Sequence, residues 1–481
     1  MKNVKTVLAW LIFYIGLVCV FFSIWGYGHW PHLDLDQLYF SMTSPVEGVG
    51  NHLLEKGAAS SLLPAAAIVL ILILFLRKKN IKKQNVILSA TGISLFFICL
   101  VVLFVRLGEY TYLPGLFMHT DFYDTHYVNP ASVKIQFPEK KRNLIHVYVE
   151  SLEVTFSDAE NGGAFPENLI PNLTEIALSN EDFGNHETLN GAVTPAGTTW
   201  TVGGLAARSA GIPIKGNIGT NHIDNSNTLL TNLVTLGDIL EQEGYVNYFA
   251  HGSDMSYAGK RDFYTSHGNY HFIDYAYAKE NKLIPEDYFE FWGYEDAKLF
   301  EYSKEKITEL SQSGQLFNFM ILTEDTHHED GYVCVDCPSV YQDQLWNVTL
   351  CTDKRTADFL EWCKKQDFYE NTTIVISGDH LTMDSDFCKD VDPSYQRKVY
   401  TVYINSASDR KNHDIRQYST FDDFPTILAS LGVEIEGNRL GLGVNLYSDE
   451  QTLVEQYGID YLNKELSKQS DFISKLPEQK K

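Results

Sequence analysis

The chain has 481 residues and a formal charge of −24, from 38 Lys and Arg against 62 Asp and Glu. That length fits one large domain with additional segments. So acidic a balance excludes nucleic acid as a partner, because its phosphates would be repelled.

Three apolar runs open the sequence. Val7–Trp25, Leu62–Leu76 and Val86–Val105 carry no charged residue. The first and third match the roughly 20 residues of a bilayer-spanning helix. The second reaches that length only with Ala58–Ser61 included. Phe21-Phe22-Ser23-Ile24-Trp25 lacks the small-residue exit of a cleaved secretion signal, so a retained anchor is predicted. Lys2, Lys5 and the block Arg77-Lys78-Lys79-Asn80-Ile81-Lys82-Lys83 predict which ends stay cytoplasmic. The Trp30-Pro31-His32 loop and everything after Arg106 would then face outward. The predicted organisation is a multi-pass membrane anchor with three transmembrane helices (1–105), a stalk (106–142), an extracytoplasmic domain (143–448) and a charged tail (449–481).

The outer domain opens on Asn143–Val149, a buried strand ending in Glu150-Ser151-Leu152-Glu153. Taken alone, Glu150 could equally cap a helix. Asn190–Gly204 is a Gly/Thr-rich entry to a helix continuing through Arg208, which puts Thr198 at or near the helix N-terminus. There the backbone N–H groups favour an anion, although a plain N-cap is the commoner use of such a Thr. Leu229–Glu243 has helical spacing and Val246–Ala250 reads as a strand, followed by the polar loop His251–Asp262. Phe317–Leu322 is a further strand, leading to Glu324-Asp325-Thr326-His327-His328. A helix over Thr352–Lys365 precedes Thr372-Thr-Ile-Val-Ile-Ser-Gly-Asp-His380, a β-branched strand broken by Gly378. Asp379 and His380 therefore emerge at a strand's carboxyl end, where open α/β sheets place ligands. A hard oxygen beside an imidazole suits a divalent metal. Val399–Ile404 is a last strand and Phe421–Leu431 a last helix. The alternation predicts an α/β fold, an α/β/α sandwich around a largely parallel sheet.

Of the seven cysteines, Cys19 and Cys99 sit in apolar runs. Cys334, Cys337, Cys351, Cys363 and Cys388 cluster in the outer domain, where disulfides persist, and are expected to be largely oxidised. Cys334-x-x-Cys337 lacks the second Cys-x-x-Cys or His pair of a zinc site.

Four blocks stand in order: Glu150-Ser151, Gly197-Thr198-x-Trp200-Thr201, Asp325-Thr-His327-His328 and Gly378-Asp379-His380-Leu381. Together with Gly211-Ile-Pro213 and Arg439-x-Gly-x-Gly443 they resemble the alkaline-phosphatase-like (sulfatase-like) superfamily in its membrane-anchored transferase branch. The phosphoglycerol transferases and lipoteichoic acid synthases of that branch look nearest. The resemblance implies one divalent ion, Mn2+ before Mg2+ or Zn2+, held by Glu150, Thr198, Asp379 and His380. It implies Thr198 as nucleophile and His327 as phosphate ligand or proton donor, with Arg261, Trp200 and His328 on the substrate side. Relatives carry Trp where Gly259 stands here. Thr198-Thr-Trp-Thr-Val202 lacks the Cys or Ser and x-Pro-x-Arg of a working sulfatase. The implied activity is transfer of phosphoglycerol from phosphatidylglycerol to a cell-surface glycan or glycolipid through a threonine intermediate. Phosphoethanolamine transfer, phosphodiester hydrolysis and non-catalytic glycan or lipid binding are the alternatives.

Overall fold

The computed structural model describes residues 2–29, 33–43, 51–76, 81–215, 233–384, 386–411 and 413–475. The Trp30-Pro31-His32 loop, residues 77–80 of the basic block and the last six residues lie outside them. Two units are present. One comprises Met1–Leu35, Val49–Thr111 and Met383–Ser385; the other comprises Asp36–Gly48, Tyr112–Thr382 and Asp386–Lys481.

In the first unit, helices α1 (Lys2–His29), α2 (Asn51–Leu76) and α3 (Ile81–Tyr110) are long and apolar enough to cross a membrane. The qualifying stretches are Val4–Gly28, Glu55–Phe75 and Lys83–Gly108. The middle one continues through Pro64 and so reaches full length. Ala9, Phe13 and Leu88 form a narrow buried seam. Leu70, Phe75, Phe97 and Phe104 stay exposed, an outward surface suited to lipid rather than water.

The second unit is built on a seven-stranded sheet. Its strands are β1 (Asn143–Val149), β2 (Gly191–Ala192), β3 (Val246–His251), β4 (His271–Ile273), β5 (Phe317–Leu322), β6 (Thr372–Gly378) and β7 (Val399–Ile404). The order is β2-β7-β6-β1-β5-β3-β4. The five strands from β6 to β4 pair in parallel, while β7 runs antiparallel to both β6 and β2. β1 and β6 are buried at every position, as a parallel sheet covered on both faces requires. Ile145, Val147 and Val149 face one layer with Leu299 and Phe359. Leu144 faces the other with Ile427 and Leu428, and Tyr148 does so with Leu205 and Phe263. The helices that matter for the site are α4 (Thr201–Ala210), α5 (Lys260–Ser266), α6 (Gln344–Lys364) and α7 (Asp423–Ser430).

Several sequence expectations need correction. The helix predicted over Leu229–Glu243 covers Leu236–Gln242, with residues 229–232 outside the described set. The one predicted from Thr352 begins eight residues earlier, where Asp343 caps it by accepting from the Trp346 amide. Residues 112–142 of the expected stalk and the expected tail are parts of the second unit. Phe122 and Tyr123 are buried against Leu453, Leu462 and Leu466, because these segments carry apolar side chains that need cover. The structure joins none of the seven cysteines in a disulfide.

Candidate metal centre and its threonine

The β1–β6 register puts Val149 directly opposite Gly378. The residues that follow, Glu150 on one strand and Asp379-His380 on the other, therefore emerge side by side at one sheet edge. Gly378 is required there, since a Cβ on it would lie 2.0 Å from the Leu152 carbonyl oxygen. β5 adds the next segment: Thr323 Oγ1 accepts from the Glu150 amide (2.9 Å), and Thr326 Oγ1 donates to the Glu150 carbonyl (2.7 Å). The carboxyl ends of three neighbouring parallel strands thus build one site.

One ligand-type atom from each of Glu150, Asp379 and His380 lies within 4.8 Å of the others, and all three residues are buried. His380 Nε2 is 3.5 Å from Glu150 Oε1 and 3.3 Å from Asp379 Oδ2. His380 Nδ1 donates to the Leu381 carbonyl (2.8 Å), which fixes the tautomer and turns the Nε2 lone pair toward the carboxylates. Asp379 Oδ1 accepts from the Ser151 and His380 amides, at 2.8 and 2.9 Å. Its Oδ2 is buried with no hydrogen-bond donor among the described residues. Burial, then the Glu150 charge, pushes Asp379 up to about 6. Burial lowers His380, but the Asp379 and Glu150 carboxylates outweigh it and hold its pKa above the ordinary value. Two facing carboxylates, an orphaned carboxylate oxygen and an oriented imidazole nitrogen fit one divalent cation.

Arg208, fully buried on α4, braces this centre. Its Nη1 donates to the Asp379 carbonyl (2.9 Å), while Nε is 2.9 Å from Asp423 Oδ2 on α7. Tyr403 donates to the other Asp423 oxygen (2.7 Å). α4 can come this close because Gly204 lacks a side chain; a Cβ there would sit 2.1 Å from the Asp379 carbonyl oxygen. Glu153, for all its resemblance to Glu150 in sequence, faces away from this work. It accepts from the Thr382 amide (2.7 Å) and from Arg397 Nε (2.8 Å).

The helix begins at Thr201, so Thr198 lies near its N-terminus, as expected, but outside its first turn. Gly197, at φ +81°, closes a turn in which the Thr198 amide donates to the Pro195 carbonyl at 3.1 Å. That turn needs a left-handed third residue and cannot be helical. Thr198 is fully buried, and its hydroxyl also donates to the Pro195 carbonyl (2.8 Å). Thr201, the first helical residue, has its Oγ1 3.3 Å from His380 Nε2. Trp200 is a packing residue, buried against Phe40, Val202 and Ala206.

His327 Nδ1 donates to the His328 carbonyl (2.7 Å), and its half-buried ring packs on Trp292 and His328. Burial, with the His380 and Lys260 charges behind it, lowers its pKa to about 4 and keeps it neutral. Arg261 is ion-paired to buried Asp274 and lies over the Phe272 ring. Its neighbour Lys260 is the more buried of the two. Burial lowers the Lys260 pKa against the pull of Glu324, Asp254 and Glu150. Buried His251 completes this wall, bonded to Ser253 (2.7 Å) and the Leu322 carbonyl (3.0 Å). Lys260, His251 and Arg208 had no role assigned from sequence; only tertiary packing brings them here.

The sequence profile of the Sulfatase family matches residues 142–433. The chain is 33% identical over 327 residues to phosphoglycerol transferase I of Escherichia fergusonii, covering 66% of this chain and 40% of that one. It is 32% identical over 315 residues to the Shigella flexneri protein of the same name, covering 64% and 39%. The chain thus spans about two fifths of the length of these curated relatives. In fold it is similar to the integral membrane lipooligosaccharide phosphoethanolamine transferase A of Neisseria meningitidis. That likeness has a TM-score of 0.51 at 13% identity and covers 89% of this chain and 84% of the other. With more than half of its length inside the matched profile, and with strand-end carboxylates gathered at one sheet edge, this chain belongs to the sulfatase family of the alkaline-phosphatase-like superfamily.

Proposed function

We propose that this chain transfers a phosphoglycerol group from phosphatidylglycerol to a cell-surface glycan or glycolipid, through a phosphothreonine intermediate. The observation that carries the reading is the convergence of Glu150, Asp379 and His380 with the Thr201 hydroxyl 3.3 Å from His380 Nε2. The phosphoglycerol transferase I relatives supply the group transferred. The apolar helices suit a donor that cannot leave the bilayer. The basic residues Lys2 and Lys5 and the Arg77–Lys83 block support an extracytoplasmic second unit.

Glu150, Asp379 and His380 would hold one divalent ion, Mn2+ by preference. Bound there, it supplies charge stabilisation for phosphoryl oxygens and lowers the pKa of a nearby hydroxyl. We assign the nucleophile to Thr201 rather than Thr198, because Thr201 starts the helix and faces His380. The α4 N-terminal amides add to the attraction for the phosphoryl group. Thr201 Oγ forms the bond to phosphorus while the diacylglycerol oxygen leaves and takes a proton. In the second half an acceptor hydroxyl displaces Thr201, which regains its proton. Neutral His327, with Nδ1 committed to the His328 carbonyl, presents Nε2 for these proton movements.

The test is release of diacylglycerol from labelled phosphatidylglycerol by the detergent-purified full-length chain. Chelation should abolish it and Mn2+ should restore it. Full turnover by metal-stripped protein would overturn the reading, and a preference for phosphatidylethanolamine would reassign the group transferred.

A further inference from the structure

A second cluster of ligand-type side chains uses none of the residues above. Cys334 and Cys337 lie on the loop that follows Tyr332, and Cys351 faces them from the second turn of α6. Cys334 Sγ is 3.5 Å from Cys337 Sγ and 3.6 Å from Cys351 Sγ, and all three sulfurs lie within 4.8 Å of one another. Cys334 and Cys351 are buried. We propose that these three cysteines bind one soft divalent cation, zinc by preference, as a three-thiolate site.

Three observations support this. Thiolates at about 2.3 Å from a tetrahedral ion stand about 3.8 Å apart, whereas bonded sulfurs are about 2.05 Å apart. The spacing here is near the former. A disulfide uses two sulfurs and strands the third, while one ion engages all three. Charge is eased as well: three thiolates around a divalent cation leave one negative charge, and Arg355, one turn beyond Cys351 and also paired with Asp325 and Asp336, donates through Nη2 to Cys334 Sγ at 3.2 Å. Binding replaces three thiol protons, which leave to solvent. The hydrogen bond to Cys337 and then burial hold the Cys351 thiol high until the ion arrives.

The cluster also reaches the reaction loop. The same guanidinium donates through Nη1 to Asp325 Oδ2 (3.2 Å), two residues before His327. An ion on the sulfurs would fix Arg355, and through it the start of the Asp325–His328 segment. This proposal stands independently of the transferase reading.

The test uses full-length protein purified in detergent without reductant. Stripped and reloaded with Co2+ alone, the unaltered chain should develop the intense near-ultraviolet absorption of thiolate-bound cobalt. Cys351→Ser should weaken that band, and Asp379→Ala should leave it. Native zinc should fall by about one ion per chain in Cys351→Ser. The cobalt spectrum is read on the unaltered chain, so a misfolded variant does not decide the matter. No thiolate band, or peptide mapping that finds Cys334 bonded to Cys337 or Cys351, would overturn the proposal.

Discussion

Arg208 Nη1 donates a 2.9 Å hydrogen bond to the carbonyl of Asp379, 171 residues away in the chain. The bond joins the helix that carries Thr201 to the loop that carries two of the three candidate ligands. The proposed nucleophile and the candidate metal centre are therefore positioned as one piece, with Asp423 holding the guanidinium from behind.

Arg208→Lys should keep the charge but lose the fork that reaches Asp379 and Asp423 together. Supporting residues of this kind typically contribute roughly 10–100-fold to metal affinity. Titration of the stripped protein with Mn2+ should show a loss in that range. Arg208→Ala should do worse, unfolding the second unit at lower temperature. It leaves Asp423 as an unpaired buried charge, a loss of about 3–5 kcal/mol.

Gly204→Ala separates two effects of opposite sign. In an exposed helix the change would stabilise by about 1 kcal/mol. Here the added Cβ would fall 2.1 Å from the Asp379 carbonyl oxygen, so Asp379 or α4 must move. Mn2+ affinity and turnover should both drop sharply, checked by calorimetric titration and the diacylglycerol assay. A variant that is more stable and fully active would contradict the packing described.

Metal binding should weaken as pH falls through about 6. In the ion-free site burial and Glu150 push Asp379 up to about 6, and His380 sits above its ordinary value. Above these values the site is deprotonated and ready for a cation; below them protons compete. Affinity should therefore fall roughly tenfold per pH unit for each proton displaced. Mn2+ titrations at pH 5.5, 6.5 and 7.5 (about one unit apart) measure this slope. A flat profile would mean that these groups are not the ligands.

Much of the fold could be read from the sequence because its strands are buried on both faces. Phe317–Leu322 and Val399–Ile404 are uninterrupted runs with little polar content, and their ends coincide with the observed strands. The three candidate ligands were equally legible, since Glu150 and Asp379-His380 each follow such a run. The threonine was harder. Thr198, Thr199 and Thr201 have similar chemistry, and what separates them is the left-handed Gly197 and the extended Trp200, at φ −139° and ψ 163°. Arg208 read as a helix residue like any other, because its partners are supplied by α7 and the β6 loop. Cys351 likewise joined Cys334 and Cys337 only through tertiary packing, since no fixed spacing announces it.

The account's central claim is that Thr201 carries the transferred group. Full-length protein should be purified from its own membrane, trapped with phosphatidylglycerol, digested, and the adduct mapped by tandem mass spectrometry. The account predicts a glycerophosphoryl adduct on Thr201, lost in Thr201→Ala and retained in Thr198→Ala. An adduct on Thr198 or Thr199, or one that survives Thr201→Ala, would contradict it.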